Sequence, residues 1–347
     1  MIAHDESDAL HARVQALLPT GAFDERLTLD IARFQASHTP PIGRLYAARG
    51  LRAATMARVD DLPGVPTDAW KRVRLAAHPA SDDAVVFLTS GTTSGARGAH
   101  PLRRVDTYDA AALSHARRML ALDAPHVCAL LLLDDPSSSL GHMGRALAGA
   151  LASRTIEGFR RELDVDALLS TSRSELPVVL MATSFALVHA LDALGARRCP
   201  LPPGSRVMQT GGFKGKSREV PPEELRAAVS RAFGVPERQI VSEYGMTELG
   251  SQAYEATILD PGARHGELHL PAWCRVSAVD PGSDRPLPLG EPGLLRFVDP
   301  VNVDSAIVVQ TQDLGRALSP TTFELHGRLP GALPRGCSLA IEELVGR

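Results

Sequence analysis

The sequence predicts an α/β fold: a largely parallel sheet flanked by helices, with a small β-barrel-like subdomain. Three observations carry this. A chain of 347 residues, 44% hydrophobic and 22% charged, can bury a substantial core in one large or two ordinary domains. Between residues 84 and 244, short aliphatic runs alternate with helix-length stretches, the pattern of crossover units that builds parallel sheets. From about residue 266 the texture changes to short strands separated by turns containing Pro and Gly, which marks antiparallel or barrel-like structure.

Taken in order, residues 1–80 read as a helical segment, with helical patterns at 9–18, 27–36 and 46–57 and a proline-containing link at 61–66. The core, 81–265, carries expected strands at 85–89, 128–133, 177–182, 207–210 and 240–244, and helices at 104–121, 143–152, 183–194 and 222–233. The β subdomain, 266–325, carries strands at 267–270, 274–279, 293–297, 306–310 and 323–325, and a tail at 326–347 follows.

Ligands of such sheets gather at the carboxyl ends of strands, and three polar loops fall there. The first, Thr89-Ser90-Gly91-Thr92-Thr93-Ser94-Gly95-Ala96-Arg97-Gly98, joins glycine backbone to hydroxyls, which suits a phosphate. Its spacing excludes two phosphate motifs. Counting from Gly91, Ala96 and Arg97 stand where a Walker A loop needs Gly and Lys, and the glycines do not fit G-x-G-x-x-G. A polar surface loop is the alternative reading. The others are Thr210-Gly211-Gly212-Phe213-Lys214 and Tyr244-Gly245-Met246-Thr247-Glu248. Lys214 and Lys216 read more simply as solvated charges.

A net charge of −3 without a basic stripe argues against a nucleic-acid partner. No apolar run reaches membrane-spanning length, and Asp5, Glu6, Asp8 and Arg13 exclude a signal peptide at the N-terminus, so a cytoplasmic protein with no membrane partner is expected. Cys128, Cys199, Cys274 and Cys337 are dispersed, which fits free thiols rather than zinc or disulfides.

These motifs, in this order, resemble those of the adenylate-forming superfamily of acyl-CoA synthetases, luciferases and nonribosomal adenylation domains. Residues 89–98 are similar to its phosphate loop, with Arg97 for the usual lysine and Ser94 and Ala96 for a glycine and a proline. Tyr244-Gly245-Met246-Thr247-Glu248 matches Y-G-x-T-E without departure, Thr311-Gln312-Asp313 resembles T-G-D with Gln312 for glycine, and Gly327-Arg328 resembles the G-R before the interdomain hinge. The short chain, the Gly-Gly-Phe-Lys loop and the ending Pro334-Arg335-Gly336-Cys337-Ser338 most resemble the acyl-protein synthetase branch.

The resemblance implies the large N-terminal domain of such an enzyme, using ATP and Mg²⁺ to turn a carboxylic acid, fatty or aromatic, into an acyl-adenylate. Transfer to a thiol or amine follows, which brings in an acyl acceptor, a carrier protein or a reductase as partner. It places Thr89, Ser90, Gly91, Thr92 and Thr93 around the phosphates, with Arg97 adding charge and Gly211 and Gly212 in the nucleotide-binding loops. Thr247 would bind the α-phosphate and Glu248 the Mg²⁺. Tyr244, followed by Gly245, would stack on adenine, Asp313 would accept the ribose hydroxyls and Arg328 would approach ribose or phosphate. His142 would stand beside the acyl entrance or serve as a structural histidine. Cys337 would relay the acyl group, its thiolate favoured by Arg335, or else be a small buried hydrophobe.

The superfamily normally continues past the hinge into a lysine-bearing domain, whereas about twenty residues follow Arg328 here, none a lysine. Adenylation then proceeds without that group, or a partner supplies it, or activity is lost. A non-catalytic nucleotide or acyl-adenylate binding module, or a regulatory subunit of an acyl-transfer complex, therefore stays open. Acid-dependent pyrophosphate exchange separates these readings.

Overall fold

The computed structural model describes residues 2–90, 96–159, 162–211, 220–329 and 335–346. They divide into two compact units: one takes Met1–Ala111, Met246–Ser251 and His269–Arg347, the other Ala112–Gly245 and Gln252–Leu268.

The first unit opens with α1 (Ile2–Leu17), α2 (Glu25–His38) and α3 (Pro40–Ala48). Asp24 caps α2 by accepting the Leu27 N–H at 2.9 Å, and the helix buries Leu27, Ile31 and Phe34. The third helix lies earlier than the expected 46–57. Pro40 and Pro41 occupy its first turn, where no N–H is needed, and the chain leaves it at Gly50 with φ +74°. A two-residue strand, β1 (Val65–Pro66), leads into a 3₁₀ turn at Thr67–Lys71. The next strand, β2 (Val85–Leu88), does not join the parallel sheet as expected. It pairs antiparallel with β3 (Ala99–Leu102), Phe87 facing His100, as a separate hairpin. From β3, α4 (Val105–Met119) carries the chain onward.

The second unit contains β4 (Val127–Leu131), α5 (Ser139–Leu151), β5 (Arg154–Glu157), α6 (Val165–Ser170), β6 (Val178–Thr183), α7 (Ser184–Leu194), β7 (Arg206–Thr210), α8 (Pro222–Phe233), β8 (Ile240–Tyr244) and β9 (Ala253–Glu255). Its strands lie in the order β9-β8-β7-β6-β4-β5, parallel except for β8 with β9. Every residue of β4 is buried, as expected of a parallel strand covered on both faces. Leu187, Ala190 and Leu194 of α7 and Leu225, Val229 and Phe233 of α8 pack with Val178, Leu180 and Val207. The sequence of α8 contains its own start and stop: Pro222 with Glu223 and Glu224 in the first turn, then Arg231 in the last and Gly234 left-handed at φ +66°.

After β10 (Glu267–His269), the first unit resumes with β11 (Arg275–Val279), β12 (Pro292–Val298), β13 (Val308–Ala317) and β14 (Thr322–Arg328), an antiparallel run in that order. It is open, with β11 at its edge, rather than closed into a barrel. Phe297 and Phe323 meet edge to face within it, ring centroids 5.3 Å apart. β1 adds in parallel to β13, pairing Pro66 with Gln310. The chain then forms α9 (Arg335–Val345). Among the described residues no helix is long and apolar enough to cross a membrane.

Candidate functional site

Of the residues singled out in the sequence, Thr89, Ser90, Arg97, Thr247, Glu248, Asp313, Arg328 and Cys337 belong to the first unit, and His142, Gly211, Tyr244 and Gly245 to the second. Gly91, Thr92, Thr93, Ser94, Gly212, Phe213, Lys214, Lys216 and Pro334 lie outside the described residues.

The hydroxyl-rich loop is closed at its neck by residues it supplies itself. The Thr89 N–H donates to the Gly98 carbonyl at 2.9 Å, and the Gly98 N–H donates to Thr89 Oγ1 at 2.8 Å. Arg97 donates from Nε to the Thr89 carbonyl at 2.7 Å and from Nη2 to the Leu88 carbonyl at 3.2 Å. Its planar fork therefore spans two successive carbonyls at the neck, a task that a lysine's point charge performs less well. A side chain at 98 would press on Trp70, since a Cβ there would lie 3.2 Å from Trp70 Cβ. With Thr89 Cγ2 at 3.1 Å from the same point, the neck leaves little room for a side chain here.

His100, opposite Phe87 on the hairpin, is buried and joins the loop to the Thr247–Glu248 segment. Its Nδ1 lies 2.6 Å from the Thr247 carbonyl oxygen. Burial pushes the imidazole down to about 4, although the bond to Thr247 raises it. Neutral at physiological pH, His100 therefore donates through Nδ1–H and fixes that carbonyl.

Glu248 is pinned from the other side. Its carbonyl accepts from Asn302 Nδ2 at 2.8 Å. The next residues are fastened by buried Asp299, which accepts the N–H groups of Gly250 and Ser251 at 2.9 and 2.8 Å and the Ser251 hydroxyl at 2.9 Å. The 299–307 segment is held in turn by α2: Gln35 Nε2 donates to the Asn302 and Val303 carbonyls, and Gln35 Oε1 accepts from the Ile307 N–H. The N-terminal helices thus brace the Glu248 segment through a chain of saturated backbone groups. The Glu248 carboxyl is itself buried, which pushes it up to about 7 against the lowering charges of Arg328 and Lys71, with Asp313 raising it.

Asp313 and Arg328 face each other across β13 and β14, and Arg328 Nε approaches Asp313 Oδ1 at 3.2 Å. Gln312, which departs from the T-G-D pattern, donates from Nε2 to Asp68 Oδ2 at 2.9 Å. Asp68 Oδ1 also pairs with Lys71 Nζ at 2.5 Å. The first unit therefore groups Glu248, Asp313, Arg328, Asp68 and Lys71 by their mutual charges. His100, Lys71, Asp68, Asn302 and Asp299 were not read from the sequence. Their roles rest on contacts across 48 or more residues, the signal in the sequence being only that lysine stands at three positions in this chain.

Cys337, read from the sequence as either an acyl relay or a small buried hydrophobe, has the burial that the second reading asks for. It lies within α9, 5% exposed, and burial raises its thiol to about 11, aided by Asp284 and opposed by Arg296. Burial outweighs the neighbouring guanidinium, so the thiol stays protonated near neutral pH.

In the second unit Gly211 follows β7 with φ +67°, left-handed backbone that requires glycine, and its carbonyl accepts from Ser184 Oγ at 2.6 Å. Tyr244 is the last residue of β8, and Gly245 follows it. A Cβ on Gly245 would come within 2.6 Å of Glu243 Oε1. His142 sits inside the first turn of α5, which starts at Ser139 under the Ser138 cap, earlier than the expected 143.

This arrangement has the fold of the large domain of adenylate-forming enzymes. An open conformation of 2-hydroxyisobutyryl-CoA ligase, bound to its acyl-adenylate and CoA, superposes with TM-score 0.63 at 16% identity, over 86% of this chain and 73% of that one. ATP-bound MatB from Rhodopseudomonas palustris gives TM-score 0.52 at 17% identity, over 73% of this chain and 49% of MatB, so the chain spans about half of that protein. More narrowly, the chain belongs to the acyl-protein synthetase family LuxE, whose family model matches residues 161–345. A comparison with curated proteins finds no match.

Proposed function

We propose that the protein activates a carboxylic acid with ATP to an acyl-adenylate and then passes the acyl group to a thiol or amine. The observation that supports this most is the clustering of buried Glu248 with Asp313 and Arg328, the three motif residues whose charges act on one another within the first unit. In the activating step a carboxylate oxygen attacks the α-phosphorus, the bond to the β-phosphate oxygen breaks, and pyrophosphate leaves with the electron pair. In the second step the acceptor attacks the acyl carbon, AMP departs and the acceptor's proton goes to water.

Two anions must be brought together, so the protein's work is positioning and charge neutralisation. Thr89 and Ser90 offer hydroxyls to the phosphates from a neck that Arg97 keeps closed. Thr247, its carbonyl held by His100, presents its hydroxyl to the α-phosphate. Asp313 accepts the ribose hydroxyls, with Arg328 beside it. For Tyr244, Gly211 and His142 the assignments are those the motifs imply.

Glu248 fits a divalent metal. Its buried carboxyl holds a proton more tightly than usual, and a hard cation is the partner that would keep it ionised. Among the described residues no group of three or more His, Cys, Asp or Glu could form a protein-only cage, as suits Mg²⁺ held by one carboxylate and substrate phosphates. There the ion would supply charge neutralisation on the phosphates.

The test is exchange of labelled pyrophosphate into ATP across a panel of fatty and aromatic acids. Acid-dependent label in ATP is expected. ATP binding without exchange under any acid would instead mean a non-catalytic binding module.

A further inference from the structure

Cationic residues in this chain are almost all arginine: of 37 Lys and Arg, lysine stands only at 71, 214 and 216. Lys214 and Lys216 lie outside the described residues, but Lys71 lies in the first unit with the clustered acids. The parallel register of Pro66 with Gln310 delivers the Thr67–Lys71 turn alongside Thr311-Gln312-Asp313. On its other side Trp70 packs against the loop neck at Gly98 and against the His100 ring, centroids 6.2 Å apart. The turn thus links the phosphate-loop neck to the Asp313 strand.

Within that turn the ammonium is held by an acid. Lys71 Nζ pairs with Asp68 Oδ1 at 2.5 Å, with side chains 28% and 17% exposed. Asp68 Oδ2 is braced by Gln312 Nε2 at 2.9 Å. A glycine at 312, as in the T-G-D pattern, could not make that contact, so the departure from the motif has a physical counterpart. Gln312 is the chain neighbour of Asp313, which Arg328 approaches at 3.2 Å, so the Lys71–Asp68 pair is tied to the strand that carries that motif acid.

We propose that Lys71 is a further catalytic residue: its ammonium is presented to the acid carboxylate and the α-phosphate as the adenylate bond forms, with Asp68 and Gln312 as its positioning residues. This rests on the activation reading above. Lysine suits the task because a compact charge on a four-carbon stem can follow oxygens that move as the bond to the leaving pyrophosphate breaks. Arginine would be drawn into a two-pronged pair with Asp68.

Four measurements on the full chain test this. Lys71→Met should lower the kcat of acid-dependent pyrophosphate exchange by about 100-fold, the scale for loss of one preorganised charge donor, while the KM for ATP moves by less than about threefold. Lys71→Arg, which preserves the ion pair, should remain at least about 10-fold slow. Gln312→Gly should lower kcat by about threefold to 10-fold at a temperature where the variant is fully folded, its melting temperature falling by a few degrees because glycine weakens a strand interior. Because there are only three lysines to assign, acylation by an amine-reactive ester followed by peptide mass spectrometry should show Lys71 protected by ATP with Mg²⁺. If the parent exchanges pyrophosphate but Lys71→Met or Lys71→Arg matches its kcat, or Lys71 is labelled equally with and without bound ATP, the role of Lys71 is overturned and the activation reading stands. If the parent neither binds ATP nor exchanges under any acid, both fall.

Discussion

Glu243 should make the protein less stable as pH rises, and removing its charge should abolish that dependence. The residue ends the buried part of β8, where the Thr210 hydroxyl donates to Glu243 Oε2. Burial dominates, and the carboxyl is pushed up to about 7 from an ordinary 4.5 despite that hydrogen bond. The folded protein therefore holds this proton where the unfolded chain has released it. Its contribution is complete below pH 4.5, declines as pH rises through about 7, and is gone above. Each pH unit of difference is worth about 1.4 kcal/mol, so the whole span amounts to about 3 kcal/mol. Glu243→Gln keeps the shape and an acceptor for Thr210 but cannot ionise. Its pH-independent cost cancels when the two proteins are compared across pH. Urea unfolding of parent and variant at pH 5, 6, 7 and 8 should show the variant gaining on the parent by about 2–3 kcal/mol from the lowest to the highest pH. A difference constant to within about 0.5 kcal/mol over that range would mean that Glu243 does not hold its proton in the folded state.

Glu248→Gln should abolish Mg²⁺-dependent turnover while the melting temperature stays at or above that of the parent, since a buried ionisable group is removed; unchanged turnover in a metal titration would reject the metal assignment. Asp313→Ala should weaken ATP binding by about 1.5–3 kcal/mol for each charged hydrogen bond lost, read by calorimetry, and equal affinity would make Thr311-Gln312-Asp313 a turn alone. For Cys337, a thiol pushed up to about 11, alkylation by iodoacetamide in the native state should be slow at pH 7.5 and rise tenfold per pH unit. Trapping with ATP, Mg²⁺ and a turned-over acid decides its chemistry. A hydroxylamine-labile adduct absent from Cys337→Ser makes it a relay; adenylate without adduct makes it structural.

Elements whose signals lie within their own residues were legible. α8 and β8 fall where the pattern placed them, because Pro222, the acidic first turn and Gly234 mark one and the strand-favouring residues Ile240, Val241 and Tyr244 mark the other. Elements defined by a partner were not. β3, Ala-His-Pro-Leu, has no strand pattern and exists because β2 folds back on it. β5, Arg-Thr-Ile-Glu, offers a single aliphatic residue because it is an edge strand, partly exposed along its length. The site divides in the same way. Glu248, Asp313 and Arg328 sit in short contiguous motifs, whereas Asp299, an isolated acid in the sequence, becomes the fastening of Gly250 and Ser251 only when a strand brings it 48 residues back along the chain. Lys71 reads as one solvated charge among several in Trp70-Lys71-Arg72-Val73-Arg74 until Gln312, 244 positions on, reaches its partner Asp68.

The proposed chemistry turns on which phosphorus the acid attacks. An acid labelled with ¹⁸O in its carboxylate, incubated with the protein, ATP and Mg²⁺ and trapped with hydroxylamine, should yield AMP carrying one ¹⁸O, because the attacking oxygen stays on the α-phosphate when the acyl carbon is taken. Production of ADP with the label in inorganic phosphate, or of AMP free of label, would contradict it.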